Sequence, residues 1–235
     1  VYINDWDAFK QGFLNAHKFA INSTPDFFAD SFSEFICFLP RITSQFYSAK
    51  KKIVLFGDSH AAQWFPTLEK LARERGFELI SLTKSACPGP AVKKVETGKY
   101  KNDDCFAWRD NSFKRIRSIK PDAILVSGFQ HFEMPSGYSS RDSWWREGQI
   151  KTLSGLQGSS TKIIYISDTP HPTRDIPSCI AARNLDKCNG TEPSQPIFSP
   201  GWQQINPTSW FCSETCPAII DGVVVYRDAS HISVL

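Results

Sequence analysis

Lys52-Ile53-Val54-Leu55-Phe56-Gly57-Asp58-Ser59-His60-Ala61 is an apolar run that stops at Gly-Asp-Ser. Residues 53–56 read as a short buried strand. Residues 63–75 follow with helical spacing through Trp64, Leu68, Leu71 and Ala72, ended by Gly76. A strand that turns directly into a helix sets the intervening serine hydroxyl at the mouth of a sheet, at the carboxyl end of the strand, where sites of open α/β folds form. Near the other end of the chain, Tyr226-Arg227-Asp228-Ala229-Ser230-His231 supplies an imidazole with a carboxylate three residues before it. A serine hydroxyl is a weak nucleophile until a base stands within reach, and an Asp-x-x-His turn is a compact source of a base and its orienting group.

The same alternation continues outward from residue 53. Residues 77–82 read as a second strand, 106–119 as a helix that ends before Pro121, and 123–127 as a third strand. Residues 143–156 read as a helix, 163–167 as a fourth strand, and 223–226 as a fifth. Strands alternating with helices predict an α/β fold, a five-stranded parallel sheet covered on both faces. The 83–104 stretch, with Pro88, Gly89 and Pro90, reads as a loop. The proline-rich stretch from Asp168 to Asp221, which holds four cysteines, reads as an ordered excursion rather than a plain connection. Residues 1–48 mix phenylalanines with turn residues and read as an extension packed on a main domain at 49–235.

Composition narrows the function classes. The 235 residues are 41% hydrophobic, enough for a full core, and 27 basic against 24 acidic residues are mixed along the chain. A net charge of +3 without a basic stripe speaks against nucleic acid as a partner. No apolar run reaches the ~18–20 residues that span a bilayer. Seven cysteines indicate oxidising surroundings, and their spacing suggests three local bridges, Cys87 with Cys105, Cys179 with Cys188 and Cys212 with Cys216, leaving Cys37 over. Other pairings stay open, since six cysteines allow 15. No Cys-x-x-Cys pair occurs and no histidine stands at ligand spacing, so no metal site is expected.

The chemistry centres on Ser59 as nucleophile, His231 as base and Asp228 as the group that fixes the imidazole tautomer. The simpler alternative is that Asp58 or Ser59 only caps a helix. The backbone N–H of Ser59 is a candidate oxyanion donor. His60, next along the helix, could line the pocket. Trp144 and Trp145 could stack on sugar rings or fill the interface between sheet and helix. His131 and His171 read as ordinary loop histidines and Trp64 and Trp108 as packing, while Asn22-Ser23-Thr24 and Asn189-Gly190-Thr191 match glycosylation sequons.

Gly57-Asp58-Ser59-His60-Ala61 and Asp228-Ala229-Ser230-His231 resemble the first and last blocks of the SGNH hydrolase superfamily. With Ser85-Ala86-Cys87-Pro88 they more closely resemble the SGNH domains fused to membrane acyltransferases of acyltransferase family three. The resemblance covers about residues 50–233 and implies a flavodoxin-like three-layer α/β/α sandwich. It implies O-acylation, usually O-acetylation, of a cell-envelope glycan through a serine acyl-enzyme. It also implies no cofactor bound in this domain: the acetyl group is relayed from acetyl-CoA by a membrane acyltransferase domain. That partner is expected upstream in the same polypeptide, tethering this domain on the periplasmic or outer face of the membrane. The third block departs from the family's Gly-x-Asn-Asp. Here Gly128-Phe129-Gln130-His131 follows the third strand, leaving Gly128 and Gln130 as oxyanion-hole candidates, with Gln130 alternatively a loop amide that caps a turn. A carbohydrate esterase using the same triad, or a catalytically silent glycan-binding domain, are the competing functions.

Overall fold

The computed structural model describes residues 51–159, 162–172, 174–182, 185–190, 197, 199 and 202–233. The expected extension at 1–48, Cys37 and the sequon at Asn22 lie outside these residues. The chain forms two compact units. One holds the described residues up to Asp168 together with those of 197–205, and the other holds those of 169–190 and 206–233.

The first unit is a five-stranded, all-parallel sheet. Its strands are β1 (Lys52–Gly57), β2 (Glu78–Thr83), β3 (Ala123–Val126), β4 (Lys162–Ile166) and β5 (Gln203–Ile205), in the order β2-β1-β3-β4-β5. Register is continuous at the carboxyl ends, where Gly57 pairs with Thr83, Phe56 with Val126 and Val126 with Tyr165. Helices α1 (Ser59–Ala62) and α2 (Phe65–Arg75) follow β1, α3 (Asn102–Ile119) follows β2, and α4 (Arg141–Leu156) follows β3.

Alternation along the central strands sorts the core into two faces. Val54, Phe56, Ile124, Val126 and Tyr165 meet Phe113 and Ile116 of α3, Leu156 of α4 and Trp202. Their neighbours Ile53, Leu55, Leu125, Ile164 and Ile166 are buried on the other face. Right-handed crossovers in opposite directions from β1 set α2 on that second face and α3 and α4 on the first, which makes the three layers. The helix ends are locally encoded. Gly76 ends α2 with φ of +74°, and Ser140 and Ser143 cap α4 reciprocally.

One strand lies elsewhere than the sequence suggests. The fifth strand of the sheet is Gln203–Ile205, an edge strand paired only to β4. The apolar run at 223–226 instead contributes β7 (Val223–Val224), which pairs antiparallel with β6 (Ile219–Ile220) in the second unit. A three-residue edge strand needs no apolar run because little of it is buried, whereas Val-Val-Val-Tyr suits any β pairing.

The second unit also contains α5 (Ile176–Ala181), a 3₁₀ turn at Leu185–Cys188 and α6 (Thr208–Phe211). The three bridges expected from spacing are present: Cys87–Cys105, Cys179–Cys188 and Cys212–Cys216. Gly190 and Cys216 exchange backbone hydrogen bonds, and Asn189 Oδ1 accepts the N–H of Ala218, so the two disulfide loops of this unit are joined.

Candidate active site

Ser59 sits where the sheet changes direction. The connections from β1 lead first to β2 on one side and then to β3 on the other, which makes the carboxyl ends of β1 and β3 the topological switch point, where sites of open α/β sheets form. Gly57 makes the turn possible: its φ is +149°, and a Cβ there would stand 2.1 Å from the carbonyl oxygen of Ser127 and 2.8 Å from Cβ of Ala61. Asp58 then caps α1 by accepting the N–H of His60 at 2.9 Å, leaving Ser59 as the first helical residue, partly exposed.

The loop after β3 is held against this turn. Phe129 N–H donates to Asp58 Oδ2 at 3.0 Å, and Gln130 N–H donates to Asp168 Oδ2 at 2.9 Å. The other oxygen of Asp168 lies 2.6 Å from Nδ1 of His60, whose ring packs on Phe129 with centroids 4.5 Å apart. Burial pushes the Asp58 carboxyl up to about 6, against the pull of the His60 charge and the Phe129 N–H. From the other side, the loop at Cys87–Pro90 fits against Gly128, where a Cβ would meet Pro88 Cβ at 2.7 Å. That loop is fixed by its disulfide to Cys105, by Gly89 N–H donating to Ser127 O at 3.0 Å, and by buried Arg109 donating to Pro88 O at 3.0 Å. Gln130 is buried. Its carbonyl accepts from Arg141, while its side-chain Nε2 has no hydrogen-bond partner among the described residues. An amide donor is therefore available at the carboxyl end of β3.

In the second unit Asp228 and His231 form a tight pair. Asp228 Oδ2 lies 2.8 Å from His231 Nδ1, and Oδ1 accepts the backbone N–H of both Ser230 and His231 at 2.8 Å. Partial burial raises the Asp228 carboxyl, but the two backbone donors and the imidazole outweigh it and hold it at about 2. The bridge between Tyr226 and Ile232, and Arg227 N–H donating to His231 O, close the loop around the pair. Asp228 follows the β6–β7 hairpin rather than a strand of the parallel sheet.

The sheet unit thus gathers Ser59, Gly128 and Gln130 at adjoining strand ends, and the second unit holds Asp228 with His231. His60 does not line a pocket: it is buried and turned to Asp168. Trp144 and Trp145 are also fully buried. Their indole N–H groups donate to Lys93 O at 2.7 Å and to the Tyr165 hydroxyl at 3.0 Å, so they fill the interface and offer no face for a sugar. Asp168 escaped the sequence reading. Its only signal is its place two residues past β4, at the same sheet edge as Ser59. Asp58 is the helix cap that the sequence offers as one reading, and its carboxylate also ties the β3 loop to the turn, which the sequence does not show.

A solved structure with a similar fold is the "Structure of Salmonella ser. Paratyphi A lipopolysaccharide acetyltransferase periplasmic domain". It aligns with a TM-score of 0.60 at 16% identity, covering 91% of this chain and 93% of that one. No curated protein sequence matches this chain. A family model described as "SGNH domain (fused to AT3 domains)" matches residues 29–235, and the chain belongs to that family of SGNH domains.

Proposed function

We propose that this domain transfers an acyl group, acetyl in the first instance, through Ser59 to a hydroxyl of a cell-envelope glycan. His231 is the general base and Asp228 its orienting carboxylate. The observation that carries this reading is the 2.8 Å contact from Asp228 Oδ2 to His231 Nδ1, which supports Nε2 as the nitrogen that transfers the proton. Ser59 Oγ attacks the acyl carbonyl as its proton passes to Nε2, and the oxyanion is stabilised by Ser59 N–H, Gly128 N–H and the Gln130 amide. Collapse expels the donor's leaving group, which takes the proton. The sugar hydroxyl then attacks the acyl-enzyme, gives its proton to Nε2, and Ser59 Oγ leaves and is reprotonated.

Family membership supports a membrane acyltransferase domain of the same polypeptide as the donor partner, relaying acetyl from acetyl-CoA. The three disulfides support a location outside the cytoplasm, where thiols oxidise and stay oxidised. The test is intact-mass analysis after a short exposure to an activated acetyl ester. One acetyl group should appear on wild type, none on Ser59→Ala, and oligosaccharide acceptor should speed its release. Release at one rate with and without acceptor favours the esterase, and an acetyl on Ser59→Ala removes the assignment.

A further inference from the structure

Two buried aspartates and one histidine form a closed hydrogen-bonded circuit beneath the nucleophile. Asp58 takes the N–H of His60 at 2.9 Å and of Phe129 at 3.0 Å, and Asp168 takes the N–H of Gln130 at 2.9 Å and faces His60 Nδ1 at 2.6 Å. Asp58, His60, Asp168 and Gln130 are each at most 5% exposed. Consecutive amides of the β3 loop are therefore held by carboxylates from two different strand ends, and His60, directly after Ser59, joins them. Burying two carboxylates this close is costly, and it is tolerated when a charged or donating partner and hydrogen bonds satisfy them. An apolar core would have served stability alone at lower electrostatic cost, so the arrangement calls for a reason beyond packing.

We propose that His60 and Asp168 are positioning residues for acyl transfer. Their bond fixes the Gly128–Gln130 loop to the helical turn bearing Ser59, so that the oxyanion donors and the nucleophile keep one relative geometry. This rests on the acyl-transfer reading. The circuit touches the loop through main-chain N–H groups, so it governs where the loop sits whatever side chain stands at 130. Because the donors it holds meet a charge that exists only in the transition state, its loss slows kcat and leaves KM nearly unchanged.

The experiment uses the full chain with its disulfides formed and an activated acetyl ester as substrate, with Ser59→Ala as the control for the underlying reading. His60→Ala and Asp168→Ala are each expected to lower kcat by about a hundredfold, the scale of a loss from ~1 Å misplacement. The double variant should lose little more than Asp168→Ala alone, since Asp168→Ala already breaks the bond through which His60 acts, along with the one to Gln130 N–H. His60→Asn, whose amide nitrogen replaces Nδ1, should restore kcat to within about tenfold of wild type. If His60→Ala does not fold, His60→Leu, which fills the space without a donor, takes its place. A folded variant lacking the donor with wild-type kcat, or His60→Asn as slow as His60→Ala, overturns the proposal. If Ser59→Ala itself stays active, the acyl-transfer reading fails instead.

Discussion

Asp228 grips His231 twice, with Oδ2 2.8 Å from the ring Nδ1 and Oδ1 2.8 Å from the backbone nitrogen. A carboxylate that holds both ring and main chain leaves the imidazole one orientation and one tautomer. Asp228→Asn keeps the backbone bond but offers an N–H where an acceptor is needed. Turnover of an activated acetyl ester should fall by about 10³–10⁴-fold with little change in melting temperature. A loss below tenfold would remove Asp228 from the relay.

The same pair sets a stability profile against pH. The Asp228 carboxyl lies near 2 when folded, below its ordinary 3.8. Its contribution is therefore present above about pH 4 and lost as pH falls toward 2. Asp58 behaves oppositely. Its folded value of about 6 lies above 3.8, so between pH 6 and 4 the folded state takes up the proton first and gains stability as pH falls. Thermal unfolding of wild type against Asp58→Asn should show wild type gaining relative stability across that window, by roughly 3 kcal/mol at most. A difference that stays flat from pH 7 to 4 would show that the Asp58 carboxyl does not titrate there.

Gly57, two residues before Ser59, has the least room for a Cβ of the described glycines. A Cβ would stand 2.1 Å from Ser127 O, and a backbone oxygen at the end of a central strand has no room to yield. Gly57→Ala should cost about 2–4 kcal/mol in denaturant unfolding and displace Ser59, so activity falls even where the protein remains folded. Gly76→Ala, at a left-handed cap with open space around it, should cost about 1 kcal/mol and leave activity unchanged.

The disulfides should separate by loop length and by position. Sequence separations of 18, 9 and 4 give about 3.2, 2.6 and 1.9 kcal/mol of chain-entropy stabilisation for Cys87–Cys105, Cys179–Cys188 and Cys212–Cys216. Double alanine variants should melt in that order. Loss of Cys87–Cys105 should also slow turnover, because that bridge anchors the Pro88–Gly89 segment against Gly128. Equal activity in all three variants would break this link between the bridge and the β3 loop.

The sheet was legible because its central strands are mostly apolar runs closed by glycine or by small polar residues, Gly57 at the end of β1, Ser127-Gly128 after β3 and Ser167-Asp168 after β4. The strand-to-helix turn was legible because Gly57, Asp58 and Ser59 are adjacent. The Asp228–His231 pair was legible because three residues span one tight turn. The fifth strand was not, since Gln203-Gln204-Ile205 carries no hydrophobic period and depends on its partner in β4. Nor was the circuit through His60. Its members Asp58, Asp168 and Gln130 come from three strand ends, and only folding makes them neighbours. Trp144 and Trp145 show the opposite difficulty: a pair of tryptophans reads alike in sequence whether it packs or binds, and only burial separates the two.

That separation can be measured. Trp145 is fully buried and donates its indole N–H to Tyr165, a residue of β4 within the main core. Trp145→Phe removes the donor and part of the ring from a fully buried site. Lost burial and a lost buried hydrogen bond together should cost about 2–4 kcal/mol, seen as a lower midpoint in denaturant. Affinity for a glycan acceptor should not change, because the indole has no exposed face to offer. Weaker acceptor binding at unchanged stability would reverse the assignment and return this tryptophan to the sugar site.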